Sequence, residues 1–136
     1  MAGVAGIALM QDLLAGGLDQ VGYVPHQWFA CLFTDAWSPS SDDALSDYTI
    51  PTDALYARIP LINTTWDYLV AGSLVKARYP LLVWTFAGGA MIYGYFIEDA
   101  SGTLFGGAEA FGIGPTAIPT FGGPLILSIE IDLMSP

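Results

Sequence analysis

Basic residues are almost missing from this chain: Arg58, Lys76 and Arg78 stand alone among 136 residues against thirteen Asp and Glu, giving a formal charge of −10. A surface of that sign repels a phosphate backbone, so no nucleic-acid partner is expected. Charge of either sign is scarce as well. Charged residues make up 12% of the sequence, against roughly a quarter in an ordinary soluble domain, and few ions are left to solvate an exterior. Cys31 is the only cysteine and His26 the only histidine. A disulfide within the chain, a cysteine-based zinc site and a transition-metal site built on several histidines therefore drop out. The glycine pairs at 16–17, 88–89, 106–107 and 122–123 never precede Lys-Ser or Lys-Thr, so no phosphate-binding loop is encoded.

Apolar side chains, by contrast, are plentiful. They account for 54% of residues, with a mean hydropathy of +0.54. A lone domain of this length would struggle to hide so many, so part of the exterior is expected to meet another protein, as in an oligomer or an assembly subunit. The length fits one domain over 1–136, with an N-terminal helix in 1–20 and a β domain over 27–133. The acidic balance keeps such a subunit soluble and complements a basic partner.

Met1 to Met10 is apolar but lacks the basic start of a secretory signal, and Asp12 follows at once, so no export is expected. No charge occurs between Arg78 and Glu98, a window long enough to span a bilayer. Pro80, Gly88-Gly89 and Gly94 interrupt it, and period-two alternation fits both sides of the glycines. Two strands joined by a glycine turn are preferred to a transmembrane helix, and no membrane partner is expected.

From Val4 to Leu18 the apolar positions Ile7, Met10, Leu13, Leu14 and Leu18 recur at helical spacing, and Gly16-Gly17 stops the pattern. Ile7 and Leu14 are candidates for packing on a neighbouring subunit. Gln27 to Thr34 reads as a strand buried on both faces. Asp35 to Asp47 has little core material and reads as a solvent-facing loop. Further strands are expected at 54–61, 64–70, 78–86 with both faces buried, 91–99 and 103–111. An ordered Gly/Pro-rich loop over 112–124 then leads to a last strand, in which Leu125, Leu127, Ile129, Ile131 and Leu133 alternate with Ile126, Ser128, Glu130 and Asp132. The expected fold is mainly β, an antiparallel β-sandwich or barrel with one short N-terminal helix.

Little in the sequence carries chemistry. His26 sits beside Pro25 at a strand entrance, away from any helix face that would pair it with carboxylates, and reads as an ordinary polar residue. Cys31 lies in an apolar run and reads as a buried, inert thiol. Asp42, Asp43 and Asp47 could gather a hard cation such as calcium, although solvated loop acids account for them equally, and no metal or cofactor is assigned. Asp67, Glu98 and Glu109 could form a glycosidase-like carboxylate pair, but any acidic β protein offers as much. Trp37, isolated in the acidic loop, is the aromatic expected outside the core. With Asp42 and Asp43 it is a candidate anchor for a partner, or else a side chain that folds its loop back onto the domain.

Leu32-Phe33-Thr34-Asp35, followed by Ser38-Pro39, Asp47-Tyr48-Thr49 and Ala57, and later Tyr93-Gly94-Tyr95-Phe96, Asp99, Gly102-Thr103-Leu104 and Ala108-Glu109, resemble the motifs of a group of small structural proteins of tailed bacteriophages. The likeness runs in order over residues 5 to 133. It departs at Ile50-Pro51, where the group has Glu-Ala, and residues 66 to 78 match nothing in it. The resemblance implies a non-enzymatic virion component made in the bacterial host cytoplasm, above all a head-decoration or cement protein on the major capsid protein. It carries over no catalytic residue. A tail or fibre subunit contacting a host receptor is the first alternative, and a small hydrolase or carbohydrate-binding module the second. A homo-oligomer, such as a trimer at a local three-fold axis, would hide further apolar surface.

Overall fold

The computed structural model describes residues 4–17, 26–62, 65–71 and 74–134. Two antiparallel sheets face each other across one apolar core, as expected for a β-sandwich. The first contains β1 (Val4–Ala5), β8 (Phe105–Ala110), β7 (Gly94–Asp99), β2 (Trp28–Phe33) and β3 (Ile59–Leu61), in that spatial order. The second contains β10 (Gly123–Met134), β5 (Leu74–Phe86) and β4 (Asp67–Ala71). A two-stranded ribbon, β6 (Ala90–Ile92) with β9 (Thr116–Ile118), lies between them in the chain.

The one α-helix among the described residues, α1 (Ile7–Gly17), packs against β8 and β10. Its buried face is centred on Leu9, Asp12 and Leu13, one turn apart as the helical repeat requires. That shifts the expected stripe, which omitted Leu9 and contained no polar residue. The side chains of Ile7 and Leu14 lie outside the described residues.

β2 is covered on both faces, as its unbroken apolar run predicts. Trp28, Ala30 and Leu32 point into the main core, while Cys31 and Phe33 join Phe96 and Ala108 on the opposite face. β5 departs from expectation. Ala77 and Tyr79 are buried, then Leu82, Trp84 and Phe86, so the inward phase slips by one residue between 79 and 82. The register against β10 slips at the same place, with Leu127 opposite Leu82 but Ile129 opposite Tyr79. This is a β-bulge at Pro80-Leu81, where a proline that cannot donate to the ladder is tolerated. Ser128 Oγ donates to the Pro80 carbonyl and ties the bulge to β10. As a result Leu81, Val83 and Thr85 face outward and are exposed, and the expectation that both faces of this strand are buried is overturned.

Other boundaries differ for local reasons. The strand expected over 54–61 shrinks to β3, because the Asp53 carboxylate accepts the Leu55 amide at 2.9 Å and the Tyr56 amide bonds the Asp53 carbonyl at 3.2 Å, making a turn. The strand expected over 91–99 is cut at Tyr93, whose amide donates to the Phe33 carbonyl and whose carbonyl accepts from Phe111. Upstream of that point the chain pairs with β9, and downstream with β2 and β8. The glycine turn at 87–89 therefore does not close a hairpin. β6 and β9 instead continue the β5–β10 ladder beyond a kink, since Phe86 pairs with Gly123 and Ala90 with Ile118. The connector expected over 112–124 contains β9. Among the described residues, no helix is long and apolar enough to cross a membrane.

Candidate functional site

The acidic loop is closed at its base, where the Thr34 amide donates to the Thr49 carbonyl at 2.8 Å. Inside it, one oxygen of Asp43 accepts the Tyr48 hydroxyl at 2.6 Å, the Trp37 indole N–H at 2.8 Å and the Ser40 amide at 2.9 Å. Partial desolvation works against the Asp43 charge, but these three donors outweigh it and hold the carboxyl below its ordinary range. Desolvation and the neighbouring Asp43 charge push the Tyr48 hydroxyl up, so it remains a donor.

Tyr48 then fixes the loop to the body. Its ring stacks on Phe96 with centroids 4.7 Å apart and on Phe105 at 5.6 Å, and it meets Phe33 edge-on at 5.2 Å. The loop is thus a lid over the outward face of the five-stranded sheet, with Tyr48 buried beneath it. The expectation of a loop with little core material is corrected at this residue. Trp37 is half-exposed, bonded to Asp43 and edge-on to Tyr48, while Asp42 beside it is exposed. Asp47 accepts the Ala44 amide at 2.9 Å. Asp42, Asp43 and Asp47 do not converge on one point, and no group of three or more potential ligands suited to a metal ion occurs among the described residues.

His26 is not apart from helical carboxylates. Asp12 on α1 accepts its amide at 2.9 Å and faces its Nδ1 at 3.0 Å, and the same oxygen accepts the Trp28 indole N–H at 2.7 Å. The group anchors the helix to the start of β2. Cys31 is buried and donates to Glu98 at 3.2 Å, and burial followed by that bond pushes its thiol far up, away from the reactive thiolate. Arg58 lies 4.0 Å over the Phe29 ring and donates to the Asp99 and Ala100 carbonyls. The carboxylates weighed as a hydrolytic pair are not brought together. Glu98 meets Cys31 on the outward face of the first sheet, Glu109 is paired in register with the inward-facing Tyr95, and Asp67 is exposed on the edge strand β4 of the second sheet.

Exposed apolar surface is the other notable feature. Residues 79–97 and 110–129 contain no charged side chain, and the β6–β9 ribbon is built from these two stretches. Met91 is 47% exposed opposite Ala117, while the flanking turns present Ile113 at 99% and Phe121 at 86%. The turn that holds out Phe121 requires glycine next to it: Gly122 has φ +85°, and a Cβ there would lie 2.3 Å from the Phe86 carbonyl oxygen. Sequence reading placed Met91 in the strand expected over 91–99 and Ile113 and Phe121 in the ordered loop over 112–124, and singled out none of them as an exposed apolar side chain. The charge gaps around them were the available signal.

The fold defines the chain as an antiparallel β-sandwich whose aromatic-stapled loop and charge-free ribbon are its distinguishing surfaces. No protein-family model and no curated protein matches it.

Proposed function

We propose that this chain is a structural subunit of a tailed-phage particle, a decoration protein that binds the outside of the major capsid shell and performs no catalysis. The observation that carries the reading is the β6–β9 ribbon with its two flanking turns, where Met91, Ile113 and Phe121 are exposed in two stretches that contain no charged side chain. Large exposed apolar side chains of this kind are stabilised by burial against another protein. The Asp53 carboxylate beside it is engaged by the Ala87 and Gly88 amides at 2.8 and 2.9 Å, so it stiffens the kink below the ribbon. The Asp43-centred loop supports the same reading as a preformed acidic surface that faces solvent or basic shell residues. The phage assignment itself rests on the motif resemblance.

Emptied phage heads stripped of this protein provide the test. Added chain is expected to co-sediment with heads and saturate at a fixed number of copies per capsid subunit, and the Ile113→Ser/Phe121→Ser double variant is expected to stay in the supernatant. Saturable binding to isolated tails, with none to heads, would move the protein to the tail or fibre. Failure to bind either would overturn the virion reading.

A further inference from the structure

We propose that the outer face of the three-stranded sheet is a self-association surface, on which a second copy of this chain docks face to face about a two-fold axis. The residues of this face lie on β5, β10 and β4, not on the ribbon that continues the β5–β10 ladder, and the inference does not depend on the head-binding reading. Its apolar half is formed by Leu81 at 61% exposure, Val83 at 47% and Ile126 at 58%. Val83 and Ile126 are direct cross-strand partners. The bulge at Pro80 creates this patch. Lys76 and Arg78 point outward before it, and uninterrupted alternation would have sent Leu82 and Trp84 outward after it, whereas the slipped phase presents Leu81 and Val83.

Charge selects the occupant. Copies of a −10 chain repel one another, and they do so least where the local charge is close to balanced. Lys76 and Arg78, two of the three cations in the sequence, lie in the central strand of this face. In register beside them are Asp132 and Glu130 on β10 and Asp67 on β4. Lys76 is held by Glu130 at 2.9 Å and by Asp132 at 3.8 Å. With two cations against three carboxylates, the face has little net sign to attract a basic partner, which would find Asp35, Asp42, Asp43 and Asp47 on the loop instead. A two-fold axis near the Val83–Ile126 pair stacks the apolar halves of both copies and leaves the mixed charges as a polar rim, which is the arrangement of an isologous interface.

Sedimentation equilibrium of the purified chain, from about 1 to about 200 μM, tests this. The expected result is a monomer–dimer equilibrium that tightens as salt rises from about 0.05 to about 0.5 M, because screening relieves the repulsion and an apolar contact loses nothing to it. Val83→Asp and Ile126→Lys are each expected to weaken association at least about tenfold. Mixing the two variants restores dimers, since the new charges oppose each other across the axis. Val83→Thr, which keeps the branched shape and adds no charge, gives a smaller loss and decides the matter if a charged variant misfolds. A monomer at every concentration, a trimer, dimers indifferent to Val83 and Ile126, or dimers that dissociate with salt would each overturn the proposal. Head binding is measured separately, so loss of one leaves the other standing.

Discussion

At the scale of single residues, two positions show how the sequence constrains this fold. Gly94 sits where a Cβ would lie 2.1 Å from the Glu109 carbonyl oxygen and 2.6 Å from the Phe33 ring. The Tyr93-Gly94-Tyr95 motif is thus a demand for space, leaving room for the tip of the Phe33 ring against β7. Gly94→Ala is expected to cost about 2 kcal/mol or more by forcing the strand and ring apart, read as a fall in the denaturation midpoint with an unchanged slope. Asp12 is the second case, a buried carboxylate on a helix that otherwise buries apolar groups. Asp12→Ala leaves the buried indole N–H of Trp28 without its acceptor, and a loss of about 2 kcal/mol is expected in the same measurement.

At the scale of elements, the acidic loop behaves as a carboxylate-centred staple. The Asp43 carboxyl titrates lower in the folded chain than its ordinary value of 3.8. Its contribution is therefore present above that pH and is lost as pH falls below it through the folded value. Followed by NMR, the Trp37 indole N–H is expected to hold its shift down to about pH 4 and to move below that. A midpoint well above pH 4 would contradict the staple. The loop also marks the limit of what sequence could tell. Its existence was legible from Ser38-Pro39 and the aspartates, and the strands β2, β5, β8 and β10 were legible from apolar runs and alternation. That Tyr48 would stack under the loop was not legible, because ring stacking depends on Phe96 and Phe105, far away in sequence. Pro80 signalled an interruption and the alternation of Leu82, Trp84 and Phe86 against Leu81, Val83 and Thr85 was legible, but apolar residues on both faces read as burial on both, so the exposure of Leu81 and Val83 was not. Asp12 and His26 escaped because their pairing depends on where the helix docks.

At the scale of the whole molecule, the surfaces divide by chemistry. One end carries the charge-free ribbon, one sheet carries the stapled acidic loop on its outward face, and the other sheet carries a patch of apolar side chains beside balanced charges. The low charge content predicted exposed apolar surface, and the exposure of Ile113, Phe121, Leu81 and Ile126 accords with it. Where those residues would gather could not be read beforehand, because the ribbon and the bulge that assemble them are products of tertiary pairing. On the proposed reading, each of these surfaces is available to a different partner, as bridging neighbouring shell subunits requires.

A high-resolution reconstruction of the intact phage particle tests that account most directly. The account predicts density for this sandwich on the outer face of the head, with Ile113 and Phe121 against more than one capsid subunit and the loop from Asp35 to Asp47 turned to solvent or to basic shell residues. Density confined to the tail, or a particle without this chain, would contradict it.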